Sequence, residues 1–434
     1  MSDTNRLHIA IFTDDFYPAS GGIGRSIQTQ INELVNRGHK VTLFAPKHNL
    51  EKPDSCQIFV TPSFYPPGAP SHMCILSYNN KLAKKICSEY KFDIVHSQTE
   101  RGGLMLAAKI SKIQNIPHIH TFHANLAGTH ASQPFSAFWG SLAYFILVKS
   151  VIATIAPQKI GKKVKLLNSS GEKCSFLERF DWYSLATVAS RVDHYTAPSR
   201  FMVENIGNHL PGSENYRSAI PTGVSKPMTK QLGAKLKKSK DKPLRFISIS
   251  RLSKEKRVDI IIKAFKKADI PNSELVVVGS GDQLRTLKQL ANGSANIYLQ
   301  PHSNDMNHII KQYQRADVFV LASYRFETQG MVLSEAAAAH LPIIYCDERL
   351  DVGVGKTNSI LTDSPDSDSL AEAMRQMTDK KLRQKLSAGS AKLVPTLSVD
   401  FMATNYLKVY NQSIKQKSLD QQVSHQLSDR PRHL

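Results

Sequence analysis

The sequence predicts an α/β protein of two doubly wound, Rossmann-like domains, and three observations predict it. Short apolar segments recur along the 434 residues without strict alternation, so they read as strands covered on both faces, the mark of a parallel sheet. Helical patterns separate them, as parallel neighbours require. The series breaks near the middle of the chain and restarts beyond a lysine-rich stretch, which predicts two such domains facing one cleft.

In order, LHIAIFT (7–13) reads as the first strand, followed by the loop YPASGGIG and a helix from about Arg25. KVTLFA (40–45) and FDIVHSQ (92–98) are further strands. A helix through LMLAAKIS leads to the strand PHIHTFH (117–123). The second series comprises LRFISISRL (244–252), ELVVVGSG (274–281), ADVFVLAS (316–323) and PIIYC (342–346). The expected organisation is a first domain over 1–222, with an apolar and basic insertion at about 131–190, and a second over 223–396. Residues 397–434 are expected to form a helix packing back on the first domain, ending in a tail that frays after about Lys415.

With 41% hydrophobic and 21% charged residues, a packed core is expected and global disorder is excluded. The cysteines, Cys56, Cys74, Cys87, Cys174 and Cys346, are odd in number and never form a C-x-x-C pair, which suits a reducing compartment and argues against a disulfide framework or zinc site. The amino terminus has polar residues where a signal peptide needs an apolar run, so a cytoplasmic location is expected.

A net charge of +20 attracts polyanions, whether nucleic acid, anionic lipid or phosphorylated ligand. Eight basic residues and one acid between Lys226 and Arg245 read as a domain linker; five lysines and no acid lie between Pro134 and Gly171. Nucleic-acid binding predicts aromatic–basic interleaving or a docking motif, and neither is found, so no nucleic-acid partner is expected. Phe135–Ala156 is apolar apart from Lys149 and long enough to span a bilayer. Spanning would put the two domains on opposite sides of the membrane. Two readings of the 135–165 segment therefore stand: a helix buried in the first domain, and an interfacial helix with a lysine-rich border.

The segment RFETQGMVLSEAAAAHLPIIYC holds Glu327 and Glu335 eight residues apart, with Gly330 between them. In a strand–loop–helix unit Glu327 falls at the strand's carboxyl end, Gly330 at the turn and Glu335 early in the helix. Carboxylates accept hydrogen bonds from vicinal hydroxyls of a sugar or ribose, and free amides at the helix start favour a diphosphate. Taken alone, two glutamates could equally be a helix start carrying acids for its dipole. Arg251 and Lys256, at the end of a strand in SISRLSKEKR, suit a diphosphate as fork and point charge. Gly21 and Gly22 form a glycine-rich turn without the G-x-G-x-x-G spacing of a dinucleotide site. His123 ends a strand where such sheets meet their ligands.

Together PASGGIG, DIVHSQTE, IPHIHTFH, APSRF, IPTGV, SRLSKEKR, VVVGSGDQL, ADVFVLAS and FETQGMVLSEAAAAHLPII resemble the retaining glycosyltransferases of family four, over nearly the whole chain from Ile9 to about Lys415. The HSQTE, HTFH, IPTG and ETQG strings are most similar to bacterial diacylglycerol glucosyltransferases. The resemblance implies a GT-B fold and transfer of a hexose, glucose in that subgroup, from a UDP-sugar to a lipid or glycan acceptor, with no divalent metal or other cofactor and with peripheral contact to an anionic membrane. It implies catalytic roles for His123, Glu327, Arg251 and Lys256. Donor binding would fall to Gly22 from the first domain and to Arg251, Lys256, Glu327, Gly330, Met331, Val332 and Glu335 from the second. Glu327 would hold sugar hydroxyls and Glu335 the ribose. A transferase for a soluble glycan or protein acceptor, and a sugar-nucleotide epimerase on the same architecture, are the alternatives. The chain departs from the family pattern at His340, where the family has glycine, and in ANLAGTHASQP after His123, on the acceptor side.

Overall fold

The computed structural model describes residues 6–15, 21–47, 56–65, 74–128, 134–166, 175–234, 242–303 and 305–428. Parts of the YPASGGIG loop, the ANLAGTHASQP run and the lysine-rich 235–241 stretch lie outside them. The chain forms two compact units, 1–130 with 134–220 and 402–434, and 221–401 with 131–133.

In the first unit the described strands are β1 (His8–Phe12), β2 (Lys40–Pro46), β3 (Gln57–Thr61), β4 (Ser63–Phe64), β5 (Ile75–Leu76), β6 (Ile94–Ser97), β7 (His118–Thr121), β8 (His194–Ala197) and β9 (Arg217–Ala219). Seven of them form a sheet in the order β3-β2-β1-β6-β7-β8-β9, parallel at every pairing, and β4 pairs antiparallel with β5. The second unit contains β10 (Leu244–Ile249), β11 (Ser273–Val278), β12 (Ile297–Gln300), β13 (Val318–Leu321), β14 (Ile343–Tyr345) and β15 (Ser359–Leu361), all parallel, in the order β12-β11-β10-β13-β14-β15. Each sheet is wound outward from its first strand. The strand order therefore reverses between β1 and β6 in one unit and between β10 and β13 in the other, and ligands of such sheets sit at that reversal.

The apolar continuity of these strands has a direct packing cause. In the second unit Ile247, Val276, Val278, Phe319 and Leu321 enter one core cluster. Their neighbours in sequence, Phe246, Leu275, Val277, Val318 and Val320, enter the cluster on the opposite face. A strand packed on both sides has no polar face to alternate with.

Three local expectations need correction. The lysine-rich stretch opens as a helix, Lys226–Gly233, rather than as linker alone, because Met228 and Leu232 are buried in the second unit's core. The chain does not fray at about Lys415: helix Val399–Ser428 continues thirteen residues further. Its stripe Met402, Ala403, Tyr406, Val409 and Tyr410, at helical spacing, is buried. The first helix starts at Gly22 rather than Arg25, since Gly21 adopts φ +58 and turns the chain into it.

The apolar insertion is helical over Pro134–Ala143, π-wound over Tyr144–Lys149 and helical again over Ser150–Ile155. Val148 and Ile152 pack with Leu104, Phe122 and Trp182 in the first unit's core, while Phe138, Trp139 and Ile146 are exposed. The segment thus has one buried face and one exposed face. Phe138–Ile155 is long and apolar enough, by length and composition, to cross a membrane.

His340, where the family resemblance leads one to expect glycine, follows helix Met331–Ala338 with φ +55. Helices commonly end on a left-handed residue here, which is why glycine is favoured.

Candidate nucleotide-sugar site

The second unit gathers its charged residues at the strand reversal. Beyond β10 the chain runs through Arg251 into a short 3-10 turn, Lys254–Lys256, and Arg257, with φ +51, turns it into helix Val258–Ala268. Beyond β13 the loop 322–330 leads to helix Met331–Ala338. Because β10 and β13 are neighbours, these loops emerge side by side. Lys256 Nζ and Glu327 Oε1, 71 residues apart, lie 2.6 Å from one another, and both side chains are nearly buried. The Lys256 ammonium also sits 5.1 Å from the centre of the Phe326 ring. Burial pushes the Glu327 carboxyl up, but the charge and hydrogen bond of Lys256, with help from Ser323 and Arg251, outweigh it and hold Glu327 below the usual glutamate range.

Arg251 is open to solvent. Its side chain is 69% exposed, with Nη2 3.2 Å from Glu255 Oε1, so the guanidinium is available to an anion. Glu255 is held in turn by the Ser253 hydroxyl at 2.6 Å.

Gly330 takes φ +70, and a side chain there would crowd Leu333. The turn delivers the amides of Met331 and Val332 at the helix start, where no intrahelical acceptor exists for them. Gln329 fixes the loop from behind: its Oε1 accepts from Thr222 N at 2.9 Å and its amide donates to Thr222 O at 3.0 Å. Glu335 lies one turn into the helix and is buried, with Oε2 accepting from the Tyr313 hydroxyl at 2.8 Å. Across the strand reversal, a Cβ on Gly279 would come within 2.0 Å of Ser250 O, so the GSG sequence after β11 is needed for the β10 loop to pass.

The first unit supplies two of the expected residues. Gly22 begins helix Gly22–Asn36, and a Cβ there would meet nothing within 4 Å among the described residues, leaving room above the helix start. His123 follows β7, half-buried, with Nε2 2.7 Å from Gln98 Oε1. Burial pushes its ring down to about 4, against the pull of Glu100 and with the help of His120, so it is neutral near pH 7.

Among the expected residues, Lys256 and Glu327 are thus in contact and Arg251 stands beside them, while Glu335 is engaged from behind by Tyr313. Sequence reading missed Tyr313, Gln329 and Gln98. Tyr313 reads as an ordinary core position of helix Met306–Arg315, and Gln98 carried a signal only as part of the HSQTE string.

Two parallel sheets, each with its ligand-facing loops at the strand reversal, and an anion-ready helix start beside a carboxylate–ammonium pair define a GT-B glycosyltransferase that uses a sugar nucleotide as donor. The signature described as "Glycosyltransferase Family 4" matches residues 20–226 and that described as "Glycosyl transferases group 1" matches 232–393. The chain belongs to glycosyltransferase family 4. It is 27% identical, over 78% of its length and 70% of the relative's, to the alpha-monoglucosyldiacylglycerol synthase of Streptococcus pneumoniae. It is 24% identical to the enzyme of the same name from Acholeplasma laidlawii, over 78% of this chain and 80% of that one. Its fold matches Anabaena HepE, solved with UDP and glucose, with a TM-score of 0.64 and 14% identity over 94% of this chain and all of that one.

Proposed function

We propose that the protein transfers glucose from UDP-glucose, with retention of the α configuration, to a membrane glycerolipid such as diacylglycerol or a glycolipid. The observation that supports this most is the Lys256–Glu327 pair beside the start of helix Met331–Ala338. In the absence of donor the ammonium neutralises the glutamate; with donor bound it is shared between the glutamate and the diphosphate. Glu327 then holds sugar hydroxyls, Glu335 the ribose, and Arg251 swings from Glu255 onto the phosphates.

As the C1–oxygen bond to the diphosphate breaks, charge grows on the departing phosphate, where Lys256, Arg251 and the Met331 and Val332 amides stabilise it. The acceptor hydroxyl bonds to C1 on the same face of the ring, and its proton passes to the departing phosphate oxygen. His123 lies beside the donor sugar, and Gly22 gives the phosphates room. Positive side chains replace a divalent metal, so chelation with EDTA is expected to leave turnover unchanged.

The lipid acceptor is supported by the two diacylglycerol-acting relatives and by the half-embedded helix, with Phe138, Trp139 and Ile146 outward. Lys162, Lys163 and Lys165 follow it and suit anionic headgroups at the cytoplasmic membrane face.

The test is nucleotide release by the purified full chain with UDP-, GDP- and ADP-sugars, against diacylglycerol vesicles, monoglucosyl lipid vesicles and soluble glycans in parallel. UDP release from UDP-glucose that depends on lipid, with an α-anomeric product by NMR, is the expected result. Release with soluble glycan alone would replace the lipid reading, and a β product would remove the retaining mechanism.

A further inference from the structure

The first unit holds a row of buried polar side chains that the chemistry above does not use. Gln30 on helix Gly22–Asn36, His96 in β6, Gln98 just beyond it, Thr121 ending β7, Thr196 in β8 and Tyr410 on the terminal helix are each at most 2% exposed. Burying so many polar groups costs free energy unless each finds a partner. Here they are partners of one another, in a chain that ends on His123.

From the interior outward, the Tyr410 hydroxyl lies 2.7 Å from His96 Nδ1, and His96 Nε2 lies 2.7 Å from Thr121 Oγ1, itself 2.6 Å from Thr196 Oγ1. Toward the site, Gln30 Nε2 donates to the Tyr410 oxygen at 2.9 Å and Gln98 Nε2 donates to Gln30 Oε1 at 2.7 Å. Gln98 Oε1 then faces His123 Nε2 at 2.7 Å.

The chain has a direction. Each glutamine offers a carbonyl on one side and an NH2 group on the other, so fixing one link fixes the next. Tyr410 sets the first link: a phenol is a better proton donor than a neutral imidazole N–H, and an imidazole nitrogen is a better acceptor than a phenol oxygen. Tyr410 therefore donates to His96 and accepts from Gln30. Gln30 must then present its carbonyl to Gln98, and Gln98 its carbonyl to His123. Among the described residues, His123 Nδ1 has no hydrogen-bond partner.

We propose that Gln98, aligned by Gln30 and Tyr410, is a positioning residue that fixes His123 in its Nε2–H tautomer, leaving Nδ1 to accept a hydrogen bond from a hydroxyl of the sugar substrate. This rests on the reading of His123 as lying beside the donor sugar. Burial supports it by keeping both rings neutral, with His96 held well below its ordinary value and His123 at about 4. A protonated ring would have no acceptor to offer.

The test is 15N NMR of the histidine-labelled full chain, with the His123 signals identified by their loss in His123→Ala, alongside kinetics of Gln98→Leu, Gln98→Glu and Tyr410→Phe. Wild-type His123 is expected as Nε2–H near pH 7. Gln98→Leu is expected to mix the tautomers and lower kcat about tenfold, the worth of one oriented hydrogen bond, with donor KM within about twofold. Gln98→Glu, isosteric with the native residue, should place a carboxylate on Nε2, raise the ring's pKa and introduce a titration between about pH 5 and 8 that the wild type lacks. Tyr410→Phe should admit both chain directions and hence both tautomers. A wild-type ring in the Nδ1–H form, or a tautomer indifferent to Gln98→Leu, overturns the positioning role. Wild-type-like transfer by His123→Ala instead overturns the placement of His123 beside the sugar, so the two failures are distinguishable.

Discussion

Two polar clusters of this protein, one in each unit, are built from opposite materials. In the second unit the loops after β10 and β13 bring a full positive and a full negative charge to 2.6 Å, with an exposed guanidinium alongside. In the first unit the residues around β6 and β7 form a neutral row of amides, hydroxyls and imidazoles. The lesson is a division of labour. On the proposed function, the diphosphate meets charge, and the hydroxyl that faces His123 meets a neutral ring whose direction is fixed in advance.

The largest expected effect breaks the charged side. Lys256→Met should lower kcat by about 10²–10³, as loss of a transition-state charge partner does. It should also destabilise the fold by about 3–5 kcal/mol, because Glu327 is left buried and unpaired. Adding Glu327→Met should restore part of the stability and none of the turnover. Arg251→Ala should impair turnover as well, yet change stability by no more than about 0.5 kcal/mol, since its side chain is largely in water. Steady-state kinetics and urea denaturation separate these outcomes; equal stability losses for Lys256→Met and Arg251→Ala would dissolve the distinction.

Acidification should break the neutral side first. His123 and His194 are pushed by burial to about 4, and His96 and His118 are also well below the ordinary histidine value of 6.5. Between these values the unfolded chain binds more protons than the folded one. Stability from these rings is therefore complete above about pH 6.5 and declines toward pH 4, by up to about 1.4 kcal/mol per pH unit for each ring. Asp14, whose carboxyl burial raises, acts in the opposite sense. Glu327 has a depressed pKa, so its contribution persists above the ordinary 4.5 and is lost only as pH falls through its folded value. Hydrogen exchange at about pH 7 and pH 5, corrected for intrinsic rates, should show β6 and β7 losing protection before β10 and β11. Simultaneous loss would contradict the contrast.

The smallest of these effects refines the charged side. Tyr313→Phe removes the hydrogen bond behind Glu335 and should weaken UDP binding about tenfold while leaving kcat within about twofold. Titration calorimetry with UDP measures it, and an unchanged Kd would separate Glu335 from the nucleotide.

Much of the fold was legible because its strands are packed on both faces. Continuous runs such as LHIAIFT and ELVVVGSG name themselves. The strands that escaped notice are edge or polar ones: β3 and β12 have exposed positions, β15 spans three residues, and β8 reads HYTA. At the candidate site, Glu327, Lys256 and Arg251 were legible from their place just beyond a strand of the second series. That Lys256 and Glu327 touch could not be read, since 71 residues separate them and only the strand order closes that distance. The row behind His123 was still less visible. Gln30, His96 and Tyr410 belong to three distant elements, and a buried glutamine looks in sequence like a surface one.

Tyr410 lies 380 positions from Gln30 and 314 from His96, yet all three share one interior. Synthesis runs in the other direction: the ribosome delivers β1 to β9 long before the terminal helix emerges. Until that helix arrives, Gln30 and His96 lack the Tyr410 hydroxyl that joins them. The half translated first is therefore the half finished last, and a message truncated before codon 410 yields an amino-terminal half with its polar interior still open.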